Sequence, residues 1–357
     1  MSEYTEFRKQ LERKRQIDRE FYSIRSLLGN DWAMLFVLLG GREAGKSYTV
    51  TDKYCNQWRR YQRPFYWLRL TEASQRKLLA NNAEKLIDPD LRRKYKLDLV
   101  TNGDAVYEVT ARDENGKVKS KKLMARVLAL STFYNDKGSG LFDKDFLNDP
   151  NMYYNIALDE MNKEQGERKQ GDVVYQFANQ LENLVRSTKK RIRVVCIGNT
   201  LEEASDILCA LNFLPEQFGR YYLRKKRTVI DYIEPSAQYK ARRKGTLADI
   251  LMPTASTFTN VIATDTTLVS KQPLIRPTYV VRFSKEEAYT IWDGNVVAPF
   301  NGEKAPIIAM RPYIDQVFNT HLRDQVILMF DTRALKYKNL ITFKKFQKAL
   351  ELLKPRK

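Results

Sequence analysis

The chain has 357 residues, 43% of them hydrophobic, and carries 62 Lys and Arg against 43 Asp and Glu, a formal net charge of +19. That length supports one large core plus a smaller second domain, and a basic excess spread along the whole chain suits a polyanionic partner. Three cysteines and a single histidine, His321, leave no material for a disulfide scaffold, a zinc site or a histidine-based triad. The first sixteen residues are charged throughout, without the apolar stretch of a signal peptide, and no run is long enough to span a membrane. A soluble protein of a reducing cytosol is expected.

In chain order, residues 3–27 read as a charged helix, followed by the turn Gly29-Asn30-Asp31 and an apolar strand over 35–39. A helix over 47–61 follows, halted before Pro64, and then an aromatic strand over 65–70. Residues 71–98 read as helical and basic. The turn signal Asp113-Glu114-Asn115-Gly116 predicts a hairpin that pairs 107–110 with 124–130. Two more apolar strands, 153–158 and 192–198, flank a helix over 173–186, and that alternation predicts a parallel sheet covered on both faces. Beyond Phe218 the composition turns strongly basic. The expected organisation is an α/β domain over 1–219, a basic linker over 220–254 and a smaller α+β domain over 255–357, closing with a basic helix over 343–354.

The first strand opens directly into Gly40-x-x-x-x-Gly45-Lys46-Ser47, the complete P-loop signature of a nucleoside triphosphate site. Glycine lets the backbone curl so that successive N–H groups converge on phosphate oxygens. The cradle runs through Gly40, Gly41, Arg42, Glu43, Ala44, Gly45, Lys46, Ser47 and Tyr48. Lys46 is placed to span the β- and γ-phosphates of ATP and Ser47 to offer its hydroxyl to Mg²⁺, while the helix N-terminus adds partial positive charge beneath the anion. Strand 153–158 ends in Asp159-Glu160, where a Walker B pair belongs. Asp159 would hold Mg²⁺, and Glu160 would orient and deprotonate the attacking water. The next strand ends in Asn199, which either senses the γ-phosphate or caps the following turn. Arg42, inside the loop, can contact phosphate oxygens. Arg186, Lys189, Lys190 and Arg191 form a basic cluster between the last two strands; it is either a solvated face or the source of a finger acting on a neighbouring subunit, with Arg186 favoured.

This P-loop, the Asp159-Glu160 pair and the strand ending in Asn199 together resemble the additional-strand, conserved-glutamate ATPases. Within that group the chain is similar to the DNA-packaging ATPases of small podophages, the phi-twenty-nine type. Further points of resemblance are Arg42 in the third loop position, Leu130-Ser131-Thr132-Phe133-Tyr134-Asn135-Asp136-Lys137 upstream of the acids, and Asn212-Phe213-Leu214-Pro215. The similarity covers most of residues 20–250 and weakens beyond. It implies a homomeric ring, a pentamer, that sits in the host cytoplasm, docks transiently on the portal of an empty capsid and pumps double-stranded DNA, with a structural packaging RNA as a possible further partner. It also implies Arg186 as the trans-acting finger, with Lys189 and Arg191 in contention because the alignment there shifts by one residue, and Lys137 as a subunit-edge or channel cation. For the C-terminal domain it implies an RNase H-like nuclease or its relic. The acids beyond residue 255 are scattered, which reads as a vestigial fold without cleavage. Cations that would track DNA phosphates are Arg69, Arg76, Lys77 and Lys137. The alternatives are a P-loop helicase or conjugative-type DNA pump, a basic nucleic-acid-binding module with a decayed nucleotide site and, least favoured, a small-molecule kinase.

Overall fold

The computed structural model describes residues 21–132, 153–161, 172–185, 191–199, 205–251, 266–312 and 318–353. The chain divides into two compact units, one made of residues 1–201 and 215–261, the other of 202–214 and 262–357.

The larger unit is built on nine strands: β1 (Leu35–Gly40), β2 (Phe65–Arg69), β3 (Leu99–Asn102), β4 (Ala105–Arg112), β5 (Val118–Ala129), β6 (Tyr153–Asp159), β7 (Arg191–Asn199), β8 (Gly219–Leu223) and β9 (Thr228–Tyr232). Their order across the sheet is β3-β4-β5-β2-β6-β7-β1-β9-β8. The six strands from β5 to β9 in that order are mutually parallel, and β4, β3 and β8 add antiparallel edges. Phe36, Val37, Leu38 and Leu39 of β1 and Ile156, Ala157 and Leu158 of β6 are fully buried, as expected of central parallel strands covered on both faces. The helices of this unit are α1 (Arg25–Leu28), α2 (Lys46–Tyr61), α3 (Glu72–Ala83), α4 (Pro89–Tyr95), α5 (Val173–Val185), α7 (Ala237–Arg243) and α8 (Leu247–Leu251). The smaller unit holds α6 (Asp206–Ala210), α9 (Thr320–Asp331) and α10 (Leu340–Glu351).

Local chemistry explains these boundaries. Helix α2 buries Val50, Tyr54 and Trp58 at fourfold spacing, and it stops at Gln62, whose left-handed backbone (φ 49°) sends its N–H to the Trp58 carbonyl before Pro64. The single helical stretch expected over 71–98 is two helices. The first begins where the Thr71 hydroxyl accepts from the Ser74 N–H at 3.1 Å, then breaks at Asn81 and Asn82, both left-handed, a conformation asparagine tolerates. The second restarts at Asp88-Pro89, a capping carboxylate followed by proline at the first helical position. The expected hairpin exists in a different register. Glu108 faces Lys122, Val109 faces Lys121, and the end of β5, residues 125–129, instead runs parallel to β2. Of the helix expected over 3–27, residues 3–20 lie outside the described residues, residues 21–24 are not helical, and α1 begins only at Arg25.

Residues 219–232, expected as the start of a linker, are strands β8 and β9 of the main sheet. Thr228 to Tyr232 is buried throughout and hydrogen-bonds in parallel to β1. The basic residues that suggested a linker cluster in the connecting turn, Arg224, Lys225, Lys226 and Arg227, and so mask a buried β-branched strand. A polar anchor fixes it. Asp231 accepts from the Tyr22 hydroxyl and from Arg220 Nη2, each at 2.8 Å, and burial together with the Asp231 charge raises the Tyr22 pKa.

In the smaller unit the strands are β10 (Pro277–Arg282), β11 (Ala288–Trp292), β12 (Val296–Pro299), β13 (Ile307–Ala309) and β14 (Lys336–Tyr337), in the order β13-β10-β11-β12-β14. The first three form an antiparallel meander, β13 runs parallel to β10, and β14 runs parallel to β12 on the opposite edge. Asp293 and Gly294, both with positive φ, lead the three-residue turn between β11 and β12. Phe346 of α10 is fully buried against the rings of Phe283, Tyr289 and Tyr337. That helix starts three residues earlier than residue 343 because the Asn339 side chain caps it, accepting from the Thr342 N–H at 2.8 Å.

If β8 and β9 are part of the fold rather than a tether, Asp231→Ala leaves Arg220 and Tyr22 without their shared acceptor. The cost should be about 3 kcal/mol, the low end for breaking a buried pair. Urea unfolding followed by tryptophan emission reads this. A loss below about 1 kcal/mol, the scale of exposed pairs, would mean the strand pair is dispensable.

Candidate nucleotide site

The three strand ends that matter are adjacent. Strand β7 lies between β1 and β6, pairing Asn199 with Gly40 on one side and Ile197 with Asp159 on the other. The P-loop, the Asn199 amide and the acid pair therefore meet at the carboxyl edge of one parallel sheet, where ligands of open α/β sheets bind. A cavity of about 670 Å³ opens there, lined by residues 42–48, Arg69, Asp159, Glu160 and Asn199 among others.

Within the loop, Glu43 (φ 62°) and Gly45 (φ 81°) turn left-handed. A Cβ on Gly45 would meet the Phe21 side chain at 3.1 Å, so this glycine answers both to conformation and to close packing. Lys46 is buried, and its Nζ donates to the carbonyls of Gly40 at 2.8 Å and Gly41 at 2.5 Å and to Asn199 Oδ1 at 3.3 Å. Burial lowers its pKa to about 8, opposed by the Asp159 charge and assisted by Arg42. Ser47 Oγ donates to Asp159 Oδ1 at 3.0 Å. Asp159 is buried, and desolvation raises its pKa against the pull of Arg69 and Ser47.

These two oxygen donors fit Mg²⁺, which takes one or two protein oxygens and completes its shell with phosphates and water. Ser47 and Asp159 would hold it, and the ion would supply neutralisation of phosphate charge. Glu160 adopts a left-handed backbone (φ 56°), which turns its carboxylate out into the cavity, more than half exposed. Such strain in a non-glycine residue is characteristic of functional positions. Its N–H donates to Asp159 Oδ1 at 3.1 Å.

Sequence reasoning placed Arg69 among DNA-tracking cations, and the structure puts it elsewhere. Arg69 ends β2, the strand beside β6, and its buried guanidinium ion-pairs with Glu160 and lies 3.6 Å from Asp159 Oδ2. Committed to two carboxylates beside the cavity, it has no face for a duplex. Arg42 and Tyr48 are exposed at the cavity mouth. Arg76 and Lys77 are exposed on α3, with Arg76 paired to Glu72 one turn back. Lys137 and Arg186 lie outside the described residues, as do Lys189 and Lys190.

One contributor was not anticipated. Helix α7, inside the supposed linker, straps the loop from outside. The Tyr239 hydroxyl donates to the Arg42 carbonyl at 2.9 Å, Arg242 Nη2 donates to the Glu43 carbonyl at 3.0 Å, and Arg243 Nη1 lies 3.3 Å from the Glu43 carboxylate. Nothing local in Ala237–Arg243 announces this role, because its partners are almost 200 residues away in sequence.

No protein-family profile matches the sequence, and no curated protein does. Among solved structures, the Phi-28 gp11 DNA packaging motor superimposes with a TM-score of 0.64 at 15% identity, covering 95% of this chain and 99% of that one. The bacteriophage Phi-29 viral genome packaging motor assembly gives 0.60 at 16% identity, covering 94% of this chain and all of the other. The N-terminal domain of the DNA packaging ATPase from bacteriophage phi29 gives 0.44 at 20% identity over 61% of this chain and 97% of that one. The chain thus shares its fold, over nearly its whole length, with phi-twenty-nine-type packaging motors.

The position of Lys46 makes nucleotide affinity depend on pH in a defined direction. A phosphate favours the ammonium and raises its pKa, so ATP binding above the free-state value takes up a proton. Affinity should be flat below pH 8 and fall above it, by up to roughly tenfold per pH unit, since the free lysine titrates at about 8. Calorimetric titration of ATP between pH 7 and 9.5 measures it; Lys46→Arg, still charged, should abolish the slope, and a slope shared by both proteins would assign it elsewhere.

Proposed function

We propose that the protein hydrolyses ATP with Mg²⁺ to move double-stranded viral DNA into a preformed capsid, working as a homomeric ring, a pentamer, at the portal. The observation that carries this reading is the convergence of Lys46, Ser47, Asp159, Glu160 and Asn199 on one cavity with the intervening strand β7. The shared fold with two phage packaging motors and the +19 charge support the polyanionic cargo. In this reading the loop N–H groups and Lys46 hold the triphosphate, Asn199 lies where the γ-phosphate ends, and Glu160 takes the proton of the attacking water.

Arg69 sets the state of that base. While its guanidinium holds Glu160, the carboxylate is turned toward the β2 side of the site, and release of the pair frees it for water. The finger in trans is assigned to Arg186, with Lys189, Lys190 and Arg191 next in line. The smaller unit is read as a vestigial RNase H-like fold without cleavage, its support being the three-stranded meander with parallel strands at its edges. It would meet the portal or a packaging RNA.

The test is DNA-stimulated ATP hydrolysis, followed by docking on purified proheads. Glu160→Gln should keep ATP affinity within about threefold of wild type and lose on the order of 10²–10⁴ in turnover, the contribution of a positioned general base. Near-normal turnover would remove Glu160 from that role.

Subunit sharing has its own signature. Mixed rings of Glu160→Gln and Arg186→Ala subunits should recover hydrolysis, because some interfaces then join an intact finger to an intact base. Absence of recovery in rings shown to be mixed would reject Arg186 and move the test to its basic neighbours.

A further inference from the structure

The hairpin of β4 and β5 outruns its sheet. Strand β5 meets β2 only from Ala125 onward, and β3 covers β4 only as far as Glu108. Residues 118–124 and their partners on β4 therefore overhang the end of β2 by roughly 24 Å, at ~3.4 Å per residue. Because β5 runs parallel to β2 and β6, the overhang lies at the end of the sheet opposite the nucleotide cavity. Residues 110–122 are all exposed, on both faces of the ribbon.

An isolated two-stranded ribbon is marginal in water, and this one is pinned. Arg112 grips Asp98 with two hydrogen bonds of 2.8 Å, and its third donor reaches the Gly116 carbonyl at the turn. Thr110 and Ser120 join hydroxyls across the strands, and the Asp113 carboxylate accepts the N–H groups of Asn115 and Lys117. The ammonium groups are left over. Among the described residues, Lys117, Lys119 and Lys122 have no ion-paired or hydrogen-bonded side-chain partner, and Lys121 rests on the Tyr107 ring at 4.2 Å. Lys121 faces one side of the ribbon and Lys122 the other, as alternation along a regular stretch of strand requires.

We propose that this ribbon is a contact for double-stranded DNA, held in the major groove by phosphate attraction and blind to sequence; the inference rests on the DNA-translocation reading above. A two-stranded ribbon fits the major groove of B-form DNA, whereas the deep, narrow groove of A-form RNA excludes it. Lysines on both faces meet phosphates on both groove walls. The planar side chains best suited to bidentate reading of base edges are engaged or off the strands: Arg112 is locked on Asp98, and Asn115 sits in the turn. Lysine acts as a point charge, which suits a track that must accept every sequence. The ribbon is also continuous with the catalytic edge. Strand β5 ends at Ala129, paired with Arg69, and Arg69 holds Glu160.

The experiment uses the full chain and a short duplex of arbitrary sequence, with binding measured across a salt series. Replacing Lys117, Lys119, Lys121 and Lys122 by Gln should flatten the slope of log K against log salt by up to about 3.6, at ~0.9 per phosphate contact. A charge-matched variant, with Lys225, Lys240, Lys271 and Lys285 changed to Gln, should keep the wild-type slope. Basal hydrolysis and ATP affinity should be unchanged in the ribbon variant, which also shows that it is folded, while stimulation by DNA is lost. Equal flattening in both variants would mean that net charge alone binds DNA, and an unaltered slope in the ribbon variant would remove the ribbon from the interface; either result overturns the proposal. If wild type binds no duplex at any salt, the translocation reading itself falls, and the ribbon assignment with it.

Discussion

The site depends on one strand being in the way. Two strand spacings separate β1 from β6, so the backbone of Asp159 stands roughly 10 Å from the P-loop strand. That gap is crossed by the Ser47 hydroxyl reaching Asp159. The same intervening strand delivers the Asn199 amide to the Lys46 ammonium. Were β6 directly beside β1, the lysine and the two carboxylates would neutralise one another at close range. With β7 between them, burial dominates the lysine and its pKa falls rather than rises. A lysine held by carbonyl oxygens and short of water is primed to exchange those weak partners for phosphate.

The motif-bearing half of this arrangement was legible in the sequence because its signals are local. A strand ending in Gly40-x-x-x-x-Gly45-Lys46-Ser47 and another ending in Asp159-Glu160 each declare their position without reference to anything distant. What could not be read is whatever depends on strand order. Arg69 looked like a solvent-facing cation at a strand end because the sequence does not say that β2 lies beside β6. Once that neighbour is known, its guanidinium has two carboxylates within reach and burial follows. The linker expectation failed for a related reason. Four cations packed into the β8–β9 turn outweighed, in composition, a five-residue strand whose partner, β1, lies almost 200 residues upstream.

Helix α7 shows how that misread segment contributes. P-loop backbones must leave their N–H groups free for phosphate, so the loop cannot be stabilised by spending those donors on itself. The Arg42 and Glu43 carbonyls point the other way and take hydrogen bonds from Tyr239 and Arg242. The strap stiffens the loop through groups the ligand does not need. Left-handed Glu43 is fixed twice, at its carbonyl and at its carboxylate. Preorganisation of this kind removes part of the ordering cost that a triphosphate would otherwise meet on binding.

The positive charge divides along the same lines. Arg69 and Lys46 are buried beside the cavity, whereas the lysines of the hairpin are exposed and, among the described residues, have no charged partner. Between these two groups runs a single hydrogen-bonded strand pair, β5 with β2, in register from Phe65–Ala125 to Arg69–Ala129. A sheet transmits displacement along its strands far better than a loop does, because interiors at native packing density yield little. A pull on the ribbon therefore has a short, stiff route to the Arg69–Glu160 pair. That pair stands closed on arginine in the structure; the release to water proposed above would give it the second arrangement that a mechanical input needs before it can alter chemistry.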